Sequence, residues 1–225
     1  MSASDMELLD AWRSGNLAAG EELFERYYHT MVRFFSNKLQ DSIADLVQQT
    51  FMACVEGRDR MRDTSSFRSY LFAVAHNKFR AHLRARYRGS RAANGSGEPE
   101  EPDFATLTIQ DFAPGPSTLV VRHREQRLLL EALRHIPVDY QLLIELRYWE
   151  QLKTIEIAEI LGVPHATVRS RLRLAHGHLK EALGSLAHSP RELESTVTRL
   201  DDWARLCREQ VFSDQARTSS ESVAE

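Results

Sequence analysis

Apolar residues recur every three or four positions along almost the whole chain, and the alternation of a half-buried strand is nearly absent. A short helix is expected first, capped by Asp5 and ending near Gly15. Leu23, Phe24, Tyr27, Tyr28, Met31, Phe34 and Phe35 mark a longer helix over 17–39. Asp41 or Ser42 opens a third, which carries "ADLVQQTFMACVEG" and closes near Gly57. After the polar "RDRMRDTSS", Ser65 or Ser66 caps "FRSYLFAVAHNKFRAHLRARYRG", which stops at Gly89. Residues 1–89 are therefore expected to form one helical domain.

The next stretch, "GSRAANGSGEPEEPDFATLTIQDFAPGPS", has no period and is rich in Gly, Pro, Ser and acids, which predicts a flexible acidic linker over 90–116. A helix over 117–135 follows, with Leu119, Leu128, Leu129, Ala132 and Leu133 inward, and Pro137 opens another in "VDYQLLIELRYWEQL". Then comes "TIEIAEILGVPHATVRSRLRLAHGHL", two short helices around a turn at Gly162, where the backbone needs left-handed freedom. Ile155, Ala158 and Leu161 share one face of the first helix, and Val168, Leu172, Ala175 and Leu179 face inward on the second. Residues 117–184 thus read as a four-helix domain ending in a helix-turn-helix. Over 185–225, Ser189, Pro190 and Glu192 start an amphipathic helix whose stripe is Leu193, Val197, Leu200, Ala204, Cys207 and Val211, followed by a polar, disordered tail. The fold class expected is all-α: two small helical domains, a linker and a C-terminal helical extension.

Charge sharpens this outline. The 225 residues carry a formal net charge of −3, but the signs are segregated. Residues 76–91 hold Lys78, Arg80, Arg84, Arg86, Arg88 and Arg91 without one acid, and 162–180 hold Arg169, Arg171, Arg173 and Lys180, again without one. Phosphate binding responds to such local neutralisation rather than to the total. No apolar run approaches the roughly 20 residues of a membrane span, and the acidic N-terminus lacks a secretory pattern, so a cytoplasmic protein without membrane insertion is expected. Cys54 and Cys207 are far apart and read as idle thiols. His176 and His178, two apart on a helix, point in different directions, so no metal site is expected. No nucleophile–base pairing, phosphate loop or cofactor motif is recognisable, so no catalytic residue and no enzyme is expected.

Two stretches carry the binding chemistry. Arg169, Ser170, Arg171 and Arg173 project outward near the start of the second helix of the pair, where a recognition helix meets base edges and phosphates. Phe67, Tyr70, Phe72 and Phe79 are interleaved with Arg68, Lys78, Arg80 and Arg84, a mixture suited to unstacked single-stranded bases. The rings at Phe67 and Phe72 fit an ordinary core face equally well.

In the order and separation of "DLVQQTF", "SSFRSYLFAVAHNKF", "IPVDYQLLIELRYWEQL" and "IAEILGVPHATVRSRLRLA", the chain resembles a bacterial RNA polymerase sigma factor of the extracytoplasmic-function type over about residues 5–184. The resemblance implies binding of core RNA polymerase, at its clamp helices and flap, and of promoter DNA. It places Asp45, Leu46, Gln48, Gln49 and Phe51 on the core-binding helix. Phe67, Arg68, Tyr70, Asn77, Lys78, Arg80 and Arg84 fall in the −10 region, and His165, Thr167, Arg169, Ser170, Arg171 and Arg173 on the −35 helix. It also implies regulation by a partner, an anti-sigma factor or a Ser/Thr kinase.

The chain departs from the family at one informative place. Where Asp-Ala-Glu-Asp-Leu-Val-Gln-Glu is usual, it has Ser42-Ile43-Ala44-Asp45-Leu46-Val47-Gln48-Gln49, so three acidic positions are neutral. If those acids meet basic groups on the clamp, their loss at about 0.5–1 kcal/mol per exposed pair weakens core binding about tenfold or more. Phosphorylation of Thr50, Thr64, Ser65 or Ser66, each adding about two negative charges, is one expected remedy; compensation elsewhere in the chain is the alternative. Two other functions fit parts of the chain: a stand-alone helix-turn-helix regulator, and a sigma-like decoy without productive core binding.

Overall fold

The computed structural model describes residues 3–60, 66–93, 101–115 and 124–186. Among them it is helical, with one isolated β-bridge between Thr108 and Pro137, so the all-α expectation holds. The described residues fall into two compact units. One comprises those of Met1–Phe35, Asp41–Glu101 and Ala158–Val163, the other those of Ser36–Gln40, Pro102–Ile157 and Pro164–Glu225. The expected division at residues 89 and 117 is therefore not the observed one.

The first unit contains α1 (Asp5–Arg13), α2 (Leu17–Ser36), α3 (Ile43–Gly57) and α4 (Phe67–Ala93), with a 3-10 turn at Arg58–Arg60. Ser4 rather than Asp5 caps α1. The Glu7 N–H donates to Ser4 Oγ at 3.3 Å, and Glu7 accepts from the Ser4 N–H at 2.7 Å. Asp5, one residue inside the helix, instead pairs with Arg26 at 2.6 Å and accepts from the Tyr27 hydroxyl. Four helices can bury one stripe each, and these do so around aromatic rings. Leu23, Met31, Phe35, Leu71, Phe72, Phe79 and Leu83 lose all exposure, and Phe34 meets Phe35 and Phe72 edge-on at 5.1 and 5.7 Å, the arrangement ring quadrupoles favour. Ser66 caps α4 by accepting from the Ser69 N–H at 3.1 Å. This helix runs four residues past Gly89, an exposed glycine that costs a helix only about 1 kcal/mol and does not end it.

The second unit is built from α5 (Ile109–Phe112), α6 (Arg124–Arg134), α7 (Val138–Ile144), a π turn at Glu145–Trp149, α8 (Thr154–Leu161, whose end from Ala158 belongs to the first unit) and α9 (His165–Leu186). Leu129, Leu133, Ile136, Ile144, Trp149, Ala175, Leu179 and Leu183 make its core. Here the linker expectation fails for residues 102–115. Phe104, Ile109 and Phe112 are buried, Thr108 and Asp111 form a capping box, and the N–H groups of Val138 and Asp139 donate to the carbonyls of Leu107 and Phe104. Arg134, fully buried, donates to the carbonyls of Ala113, Gly115 and Asn37. In the same unit Lys38 pairs with Glu145, both almost fully buried, and that carboxylate also accepts from Gln141 at 2.8 Å. The segment Ser36–Gln40 is thus held by second-unit partners, and α2 ends at Ser36 instead of running to 39. The amphipathic stripe expected between Leu193 and Val211 lies outside the described residues.

Close packing leaves Gly20 of the first unit no room for a side chain. A Cβ at Gly20 would come within 2.6–2.7 Å of three indole atoms of Trp12, itself buried. Gly20→Ala is expected to cost about 1–3 kcal/mol and to lower the melting temperature by several degrees; an unchanged melting curve would show that Trp12 has room to shift.

Candidate nucleic-acid interface

On α3 the outward face is Asp45, Gln48, Gln49, Met52 and Val55, all exposed. Met52 and Val55 were missed in the sequence, although the helical repeat from Asp45 leads directly to them. Leu46 is buried and anchors the helix. Phe51 is half-buried, 4.7 Å from the Phe24 ring, and lines an apolar groove of about 470 Å³ with Trp12, Leu17, Tyr28 and Val55. The neutral positions Ser42, Ala44 and Gln49 are all exposed. Thr50 is fully buried and its hydroxyl donates to the Leu46 carbonyl at 2.7 Å, which removes it as a phosphate acceptor. Ser66 uses its hydroxyl in the α4 cap, and Thr64 and Ser65 lie outside the described residues.

Along α4 the aromatic and cationic residues separate. Phe67, Phe72 and Phe79 are core, with Phe67 5.6 Å from Tyr27, so Phe67 is not available as a stacking platform. Arg68 lies over the Phe72 ring at 5.8 Å. Tyr70 is half-buried, its hydroxyl close over Gly57. Asn77 is exposed, and Lys78, Arg80 and Arg84 are half-exposed on the solvent side. Arg84 pairs with Glu101 at 3.0 Å and Arg86 with Asp41 at 2.7 Å.

His76 faces inward from the same helix. Neither ring nitrogen has a partner among the described residues, and burial, reinforced by Arg80 and Arg84, pushes its pKa down to about 4. His82 moves in the same direction through burial and Arg86. Cys54 is buried too, its thiol pushed up to about 12 by burial, which leaves it inert.

The helix-turn-helix has the expected local geometry. Gly162 takes φ +65, and its N–H donates to the Glu159 carbonyl at 3.3 Å. The Thr154 hydroxyl and His165 Nε2 are 2.7 Å apart, tying the starts of α8 and α9. Val168, Leu172, Ala175 and Leu179 are buried as the period requires. His165, Arg169, Ser170 and Arg173 are exposed, and Thr167 and Arg171 half-exposed; Ser170 donates to the Thr167 carbonyl at 3.0 Å. Ile155 departs from its expected face and stands 50% exposed, while Ile157 is buried beside Ala158. His176 and His178 are held by separate tyrosines, Tyr148 at 2.7 Å and the Tyr140 ring at 4.8 Å.

An exposed arginine row after a glycine turn, and a cationic helix over an aromatic core, are now placed on one all-helical chain. The family model described as ECF sigma factor matches residues 3–185. The chain belongs to the ECF sigma factor family. Similar curated proteins include the ECF RNA polymerase sigma-E factors of Escherichia coli and Salmonella typhimurium, each 28% identical over 178 residues, 75% of this chain and 88% of the relative. The RNA polymerase sigma-H factor of Pseudomonas aeruginosa is 25% identical over 186 residues, 81% of this chain and 95% of the relative. Two solved structures share the fold. Sigma factor RpoE of Bartonella quintana, in complex with the anti-sigma factor NepR, has a TM-score of 0.53 at 21% identity and covers 72% of this chain and 92% of its own. CnrH, in complex with the cytosolic domain of CnrY, has a TM-score of 0.57 at 20% identity and covers 81% and 99%.

As an ECF sigma factor the chain is a transcription initiation factor, not an enzyme. No helix among the described residues is long and apolar enough to cross a membrane. The burial of His76 has a pH consequence for this sigma factor. Its folded pKa lies below its ordinary value, so the unfolded chain takes the proton first and stability is lost as pH falls from 6.5 towards 4. His76→Phe is expected to flatten that part of the pH profile of the denaturation midpoint; a profile identical to that of the unchanged chain would contradict the assignment.

Proposed function

We propose that this chain is an alternative sigma factor that docks on core RNA polymerase through the exposed face of α3, opens the −10 element with α4 and reads the −35 element with α9. The observation that carries the reading is the outward row of Arg169, Ser170 and Arg173 behind the Gly162 turn, in a chain that matches the sigma family from residue 3 to residue 185. Asp45, Gln48, Gln49 and part of Phe51 are the core contacts, with Leu46 acting from beneath. On α4 the contacts are Arg68, Tyr70, Asn77, Lys78, Arg80 and Arg84. On α9 they are His165, Thr167, Arg169, Ser170, Arg171 and Arg173, whose guanidinium groups suit phosphate oxygens and guanine edges. Regulation by a protein partner fits this reading, because RpoE and CnrH are both seen with partner proteins.

Run-off transcription with purified core polymerase separates the readings. A working sigma factor yields promoter-dependent transcript; a decoy yields none, and a stand-alone regulator binds its duplex site without polymerase. The neutral α3 face makes a further prediction. Restoring acids at three exposed positions, Ser42→Asp, Ala44→Glu and Gln49→Glu together, is expected to tighten core binding by about 10- to 150-fold at low salt, from roughly 0.5–1 kcal/mol per pair. Equal affinity in a titration against core polymerase would show that these positions do not meet basic groups.

A further inference from the structure

The helical repeat of α4 continues past the residues so far given to the −10 element. Arg80, Arg84, Arg88 and Arg91 are spaced four, four and three apart, which at 3.6 residues per turn keeps them within about 80° of arc over roughly 16 Å. Phe72, Ala75, Phe79 and Leu83, on the opposite side, are wholly buried. Ala81 and Ala85, both exposed, flank the arginines on one side and are small enough to let another surface approach the helix backbone. Arg88 is exposed and has no ion pair among the described residues. Arg91 lies over the Tyr87 ring at 5.7 Å and donates to its hydroxyl at 3.3 Å, which holds the guanidinium in place. Within the row, Arg84 is engaged by the carboxylate of Glu101 at 3.0 Å, with Glu101 itself 67% exposed.

We propose that Arg88 and Arg91 extend the DNA-binding surface of α4 into a phosphate-tracking row that grips duplex backbone without reading sequence, and that Glu101 occupies one member of this row, Arg84, until phosphate displaces it. This rests on the reading that α4 faces promoter DNA. Three features favour phosphates over bases as the ligand. The row is made of cations, the ring beside it, Tyr87, is half-buried and covered by Arg91, and an anionic oxygen already sits on one member. A carboxylate at an exposed guanidinium is held weakly, so a duplex offering one phosphate per 3.4 Å of axis on each strand displaces it readily.

The test uses the full chain without polymerase, so its failure does not touch the core-binding reading. Binding to a random-sequence duplex is titrated over rising KCl, with circular dichroism confirming equal helicity of every variant. Arg88→Gln with Arg91→Gln is expected to reduce the steepness of log affinity against log salt by about two, at roughly 0.9 per phosphate contact. Arg88→Lys with Arg91→Lys is expected to keep the slope, and Glu101→Gln to raise affinity severalfold at low salt. The loss in the Gln pair is expected to be equal on a second duplex of different sequence. An unchanged slope in that pair, no binding at low salt by the full chain, or a loss confined to one duplex sequence overturns the proposal. An unchanged affinity in Glu101→Gln overturns the part given to the linker carboxylate.

Discussion

Burial of Phe67, Leu71, Phe72, Ala75, Phe79 and Leu83 along one side of α4 decides where the charges of that helix go. Each fully buried Leu or Phe side chain is worth about 1.5–3 kcal/mol, far more than any single exposed ion pair. The rotation of α4 about its axis is therefore fixed by its rings, and its cations inherit the solvent side. Arg80, Arg84 and Arg88 line up because Phe72, Phe79 and Leu83 do. The same constraint explains why the solvent side of this helix offers chiefly cations and amides rather than a row of exposed rings.

A second constraint operates in the C-terminal unit. Arg134 is fully buried and satisfied by three backbone carbonyls, and Lys38 is buried against Glu145. Buried charges of this kind add little net stability over apolar replacements, but they tolerate few alternative partners, because removing one member leaves an uncompensated charge costing about 3–5 kcal/mol. Their effect is to specify which chain segments dock. Residues 113–115 and Asn37 are the segments chosen, the first from a stretch whose composition looks like a tether.

How much of this could be read from the sequence follows from which forces leave a periodic trace. The helices over Leu23 to Phe35, and the inward set Val168, Leu172, Ala175 and Leu179, were legible because amphipathic burial repeats with the helical turn. The folded segment at Phe104, Ile109 and Phe112 was not, since four residues of helix make no period and the surrounding Gly, Pro and Glu dominate the composition. The end of α4 was misplaced because Gly89 is a stop only when its φ turns positive, which neighbouring residues decide. In the candidate site, the arginines of α9 were found by spacing alone. The fate of Phe67 and Thr50 was not, because an aromatic or a threonine on a basic helix reads the same whether it faces solvent or core.

The central claim is that a cationic helix on an aromatic core and an arginine-bearing reader together make a detachable subunit through which polymerase opens a promoter. The most direct measurement is permanganate reactivity of thymines in a promoter taken from a gene whose transcript depends on this chain. With core polymerase and this chain together, a short tract at the −10 position should become reactive, while either component alone leaves it protected. Protection under all three conditions, or the same reactive tract with core polymerase alone, would contradict the account.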